Sequence, residues 1–241
     1  MKKILLTSVA ALMMGVASAG AAETCTSCGQ DWKIFFGVNA GMQGFNYDPA
    51  FKTITENFMP LMMKGLNSVK FPKSDMVMGM ETGMRFGKYK SIWNGGFTLS
   101  AEKTSGKRPD LDVHPNFWNA SITSSDPDEV KMAIGAIAVK DIKVNMNTYA
   151  ATFDNYIRLN KSMENRLDLV VGVGIADMES TIKLMGVGVS MDAHAVVWKG
   201  GLELQLTDVI SMTLGTRYYM PIASEYFDSS YAVKGGFKFS F

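Results

Sequence analysis

Cysteine and histidine are nearly absent: the 241-residue chain carries two of each. That is too few for a multi-cysteine scaffold or a well-stocked zinc site, and no cofactor is expected. An excess of one charge is also missing, with 24 basic against 23 acidic residues. A nucleic-acid binder would show a basic excess or stripe, so no nucleic-acid partner is expected. After the first segment no run of about 18 apolar residues occurs, which excludes a membrane-spanning helix downstream of it. Apolar residues make up 47% of the chain, an ordinary globular content that excludes disorder and collagen-like repetition.

What is present begins with an address. Lys2 and Lys3 precede an apolar run from Ile4 to Val16, followed by Ala17-Ser18-Ala19-Gly20-Ala21-Ala22. A basic start, a short hydrophobic core and an A-x-A site describe a secretory signal peptide. We expect residues 1–21 to be that peptide, 22–30 a periplasmic N-terminal segment and 31–241 the folded domain. Removing Lys2 and Lys3 leaves 22 basic against 23 acidic residues. An exported chain without spanning helices is either soluble outside the cytoplasm or a β-barrel.

The hydrophobic period decides in favour of strands. Tyr231, Val233, Gly235, Phe237, Phe239 and Phe241 fall on one parity, with Ala232, Lys234, Gly236, Lys238 and Ser240 on the other. A period of two puts one set on each face of a strand. The same alternation covers 32–45, 76–87, 91–103, 148–159, 165–177, 194–206 and a segment from Ile210 to Ile222. Eight strands result, each near the roughly 9–11 residues a tilted transmembrane strand needs. The phase slips once, since Ile142, Val144 and Met146 have opposite parity to Tyr149; a bulge or an extension outside the membrane would account for it. Connections run long (46–75), short, long (104–147), short, medium (178–193), short, medium (223–230), the long-and-short pattern of an outer-membrane barrel.

Signal peptide, eight alternating strands and the terminal Tyr231-x-Val-x-Gly-x-Phe237-x-Phe239-x-Phe241 together resemble the OmpA-like/opacity-type outer-membrane β-barrel family. The resemblance implies an all-β, eight-stranded antiparallel up-and-down transmembrane barrel in a bacterial outer membrane, in contact with its lipid. It also implies that Phe237, Phe239 and Phe241 form the signal read by the barrel assembly machinery. The family has no catalytic motif to carry across, and the peptidoglycan-binding domain of larger members is not expected here.

A soluble lipocalin-like barrel would alternate too, with its apolar side chains inside. Glycines on the polar parity (Gly37, Gly41, Gly83, Gly172, Gly174 among them) and aromatics toward strand ends (Trp32, Trp93, Tyr149, Tyr218) favour the inverted, membrane arrangement. The polar parity then lines the lumen with Lys33, Arg85, Arg158, Arg166, Lys199 and Arg217 against Glu81, Glu102, Asp154, Asp168 and Glu203. Eight strands leave only enough width for side chains to fill. A salt-bridged structural plug is therefore expected, with a narrow ion path through rearranged pairs as the alternative.

Other constellations carry less. His194, in Asp192-Ala193-His194-Ala195, would be the centre of a lipid-modifying enzyme, but its nearest serine is Ser190; His114 lies in the second long loop. No enzyme is expected. Cys25 and Cys28 form a C-x-x-C without a thioredoxin-like unit around it, and a local disulfide is the simplest outcome in an oxidising envelope. Met76, Met78, Met80 and Met84 read as lipid-facing packing rather than a thioether metal cluster. The run Thr53–Val69 has helical spacing. Asn119-Ala120-Ser121 matches a glycosylation acceptor that has little meaning in a bacterial outer membrane. The function expected is structural and surface-exposed: envelope integrity and adhesion-like contact, with an extracellular partner bound through 46–75 and 104–147. A porin for small solutes or ions is the alternative.

Overall fold

The computed structural model describes residues 32–44, 66–70, 74–87, 91–104, 110–116, 119–140, 143–160, 166–184, 187–222, 224 and 228–241. The signal-peptide segment, residues 22–30 with Cys25 and Cys28, and most of the run 53–69 lie outside them. In chain order the elements are β1 (Trp32–Gly44), β2 (Leu66–Lys70), β3 (Ser74–Phe86), β4 (Trp93–Thr104), β5 (Asp110–Val113), α1 (Pro127–Lys140), β6 (Lys143–Arg158), β7 (Leu167–Leu184), β8 (Val187–Gln205), β9 (Ile210–Pro221) and β10 (Ser230–Ser240).

Eight of these strands close into an antiparallel barrel in the order β1-β10-β9-β8-β7-β6-β4-β3, an up-and-down meander once β2 and β5 are set aside. Closure comes from β10 against β1, register Val38 to Phe237 and Met42 to Val233. Beyond that ladder Phe241 N donates to Ile34 O at 2.8 Å, so the last residue is held by the first strand. No sheet edge remains in the barrel wall, the condition for placing β-structure in lipid.

The alternation read from the sequence sets the faces. Met76, Met78, Met80 and Met84 of β3, Phe153 of β6, Val171 and Val173 of β7, and Leu214 of β9 are exposed on the outside, whereas Glu81, Glu102, Asp154 and Arg217 are buried inside. Charge inside and hydrocarbon outside is the arrangement of a transmembrane barrel, and it overturns the lipocalin-like alternative. An aromatic row, Tyr231, Tyr218 and Trp198, runs across β10, β9 and β8 on the outer face. Lumen-facing glycines sit where a side chain could not: a Cβ on Gly83 would come within 2.0 Å of Phe97 O, and one on Gly172 within 2.2 Å of an Asp154 carboxylate oxygen.

Short turns gather at the end of the barrel that holds both Trp32 and Phe241, here called the turn end. Gly87, with φ +133°, opens the β3–β4 turn in a conformation that favours glycine. Between β8 and β9 the Thr207 hydroxyl accepts from Val209 N at 3.3 Å and Ile210 N at 3.0 Å, closing the turn with a side chain.

The opposite, loop end corrects several expectations. The connection 178–193 is not a loop: β7 and β8 run on as a hairpin of 18- and 19-residue strands. Strand β6 starts at Lys143 and pairs with β7 without interruption from Lys143–Lys183 to Arg158–Asp168, so the parity slip before Tyr149 is an extension and not a bulge. The described parts of the long connections hold regular elements as well. Residues 66–69, the end of the run read as helical, are strand β2, which pairs antiparallel with β5 of the second connection. The same connection holds α1, which no expectation anticipated although its start is written in Asp126-Pro127-Asp128-Glu129: Asp126 Oδ1 accepts from Asp128 N at 2.9 Å, with proline in the first turn.

Candidate functional site

Two regions can carry function, the lumen and the loop end. In the lumen, strands from around the barrel project ionic side chains toward one another across it at successive levels. Starting from the turn end, Arg166 Nε meets Asp168 Oδ1 at 2.8 Å and Arg85 meets Asp168 Oδ2 at 2.6 Å. Arg85 also stands 3.6 Å from Glu203 Oε1, and Glu203 Oε2 accepts from Lys238 Nζ at 2.9 Å. Lys238 lies 3.4 Å from Glu81 Oε1, while Glu81 Oε2 accepts from Arg217 at 2.8 Å and stands 4.0 Å from Lys199. Lys199 holds Asp154 at 2.7 Å. The hydroxyls of Thr98 and Thr152 donate to the same carboxylate at 2.6 and 2.9 Å. Farther up, Arg217 and Lys234 both bond Glu102, which accepts from the Tyr219 hydroxyl at 2.9 Å.

These contacts form one connected ladder of six cations and five carboxylates. Aromatic rings complete it: the Arg85 guanidinium lies 4.4 Å from the Tyr156 ring centroid, and Lys238 Nζ lies 4.5 Å from that of Phe35. Removing one partner would leave its neighbours with an uncompensated buried charge, which is strongly destabilising.

Nine of the eleven lumen residues expected from the sequence are in the ladder: Glu81, Arg85, Glu102, Asp154, Arg166, Asp168, Lys199, Glu203 and Arg217. Lys33 and Arg158 sit at the turn end. The Lys33 ammonium donates to Asp208 O at 3.4 Å, and Arg158 is half-buried opposite Asp168 in the β6–β7 register. Two members were missed. Lys234 and Lys238 are buried in the ladder, and their place on the polar parity of the last strand is the signal that could have found them. A cavity of about 50 Å³ lies among Asn39, Glu81, Lys199, Arg217, Lys234 and Lys238.

At the loop end the lumen changes character. Met146, Met178, Met191, Ala193 and Val197 are buried inside, and Asp177, Glu179, Asp192 and His194 lie outside. His194 is 82% exposed with Nδ1 3.4 Å from Asp177 Oδ1. The Ser190 hydroxyl is 3.3 Å from that of Thr181. A histidine–acid pair is therefore present on an open sheet face, with no serine bonded to it among the described residues. His114 Nδ1 accepts from Asn116 N at 3.3 Å in the second connection, a local turn contact. Phe237 and Phe241 project outward from the closing strand, on the lipid-facing parity. Among the described residues no group of three or more His, Cys, Asp or Glu side chains is placed to hold a metal ion.

No protein-family model and no curated protein matches the sequence. Among solved structures, Ail, the attachment invasion locus protein of Yersinia pestis, in complex with the heparin analogue sucrose octasulfate, superposes with a TM-score of 0.50 at 10% identity, covering 88% of this chain and 99% of its own. The chain has the fold of the small outer-membrane barrels. Neisserial surface protein A matches with a TM-score of 0.47 at 7% identity, over 88% of this chain and 99% of that one. A major outer membrane protein from Thermus thermophilus matches with 0.45 at 10% identity, over 88% and 100%.

Proposed function

We propose that this chain is an integral protein of a bacterial outer membrane, with a lumen closed by its own side chains and a structural, adhesion-like role carried by its loop end. The observation that carries the reading is the connected ladder from Arg166 to Lys234, because an ion path would have to break buried pairs at several levels. Above it, the methionine and alanine side chains of the extension add an apolar seal. What remains for recognition is outside: the β7–β8 hairpin, the β2–β5 sheet and α1. Phe237, Phe239 and Phe241 of the closing strand serve as the assembly signal, and removal of Phe241 is expected to lower the yield of folded barrel in cells.

The test has two parts. In planar bilayers the purified protein is expected to give no resolved channel openings, and stable openings would replace the plug with a porin. Because Ail is found with a heparin analogue, immobilised heparin is the first ligand to try on cells displaying this protein. Binding that disappears on shortening 46–73 or 105–142, with the barrel still folded, supports the adhesion-like role. Unchanged binding would move the contact away from the loops.

A further inference from the structure

The lipid-facing wall is not made of one kind of side chain. On β7 the outward positions of the membrane band are Leu169, Val171, Val173 and Ile175, all branched hydrocarbon. On β3 they are Met76, Met78, Met80 and Met84, interrupted only by Thr82, whose hydroxyl donates to Phe35 O at 3.0 Å. Met42 of β1 joins them as the register partner of Met76. These five side chains are 42–58% exposed, so their thioethers meet the medium outside the barrel. The methionines of the loop end are the reverse case: Met146, Met178 and Met191 are buried. Met84 lies eight positions after Met76, about 27 Å of strand at ~3.4 Å per residue. At a tilt of about 40° the column covers roughly 20 Å of an apolar band about 25 Å tall.

Lipid solvation alone does not call for this choice. A bilayer offers no fixed holes to fill, so the adaptability that makes methionine useful in a core gains little there. What the thioether adds over leucine or valine is a soft nucleophilic lone pair in a medium of hydrocarbon. From this placement we infer that the methionine face is a sacrificial reductant for hydroperoxides of the surrounding acyl chains. The sulfur lone pair attacks the terminal oxygen of the hydroperoxide, so that an S–O bond forms and the O–O bond breaks. The departing alkoxide oxygen takes the hydroxyl proton. One acyl hydroperoxide becomes one acyl alcohol, and one methionine becomes its sulfoxide. Sulfur loses two electrons and the peroxide gains them, with no further co-reactant. The length of the column matters, because a hydroperoxide group on an acyl chain can lie at any level of the bilayer and meets a sulfur at most of them.

The experiment uses the whole protein, folded into saturated phosphatidylcholine vesicles seeded with a linoleoyl-phosphatidylcholine hydroperoxide. Methionine sulfoxide is mapped by peptide mass spectrometry while the lipid alcohol is measured by chromatography. Sulfoxide is expected at Met42, Met76, Met78, Met80 and Met84 ahead of Met146, Met178 and Met191, with one lipid alcohol for each sulfoxide formed. A variant carrying Met76→Leu, Met78→Leu, Met80→Leu and Met84→Leu keeps the face apolar and the heat-dependent gel mobility of a folded barrel. It removes four of the seven exposed methionines among the described residues, so conversion of hydroperoxide to alcohol is expected to fall about twofold or more. Conversion at the wild-type rate in this folded variant overturns the proposal. So does sulfoxide that forms equally in vesicles without the hydroperoxide, or oxidation of the buried methionines as fast as the outer five. The mapping on the unaltered chain decides the matter whether or not the variant folds.

Discussion

One wall, continued upward, makes two different molecules. In the membrane band β7 turns Leu169, Val171, Val173 and Ile175 outward, and β8 turns Val196, Trp198 and Leu202 outward, around a lumen of ion pairs. Two residues farther along each strand the outward positions become Asp177, Glu179 and Thr181 on β7 and His194, Asp192 and Ser190 on β8, while Met178, Met191 and Ala193 fill the inside. The change occurs at the same level on three strands, because Tyr149, Asp177 and His194 are register partners across β6, β7 and β8. Backbone geometry does not alter at this row. Only the medium outside does, and the inside takes whatever the outside cannot accept. Below the row lipid rejects charge, so charge is paired within; above it water accepts charge, and the apolar side chains are withdrawn from it.

The comparison can be broken from either side. The largest effect is expected for Arg217→Met, which leaves Glu81 and Glu102 facing the remaining lysines without their shared guanidinium; the cost is about 3–5 kcal/mol, read as a lowered urea midpoint of the barrel in lipid vesicles. Next comes Val173→Arg on the lipid face, at about 2–4 kcal/mol in the same assay. An arginine at Asp177, on the same face but above the row, is expected to change stability by less than about 0.5 kcal/mol. If both arginines cost alike, the membrane boundary does not lie between Ile175 and Asp177. Last, Met178→Ala empties part of the apolar fill above the row and is expected to cost about 2 kcal/mol while leaving the ladder, and hence the closed state in bilayers, unchanged.

Strand pattern and face assignment were legible in the sequence because every barrel strand obeys the same physical rule over at least one full membrane crossing. Met76 to Met84 and Phe237 to Phe241 alternate as lipid requires, and both lie where that alternation puts them. What the sequence concealed was the region where the rule inverts. Once the outward positions become Asp177 and Glu179, a search for apolar outward residues stops, so the upper parts of β6, β7 and β8 read as loop. Lys234 and Lys238 were on the correct parity, but only the closed barrel brings β10 across the lumen to Glu102 and Glu203. Pairing between β2 and β5 is less visible still, since it joins short segments of two separate connections.

That small sheet has a consequence for any molecule approaching from outside. Leu66–Lys70 and Asp110–Val113 form one ribbon, which neither stretch makes alone. An antibody that binds this ribbon in the folded protein would therefore recognise an epitope stitched from both stretches. A synthetic peptide copying either one would compete poorly for it, and a tag inserted into the first connection would disturb recognition at the second.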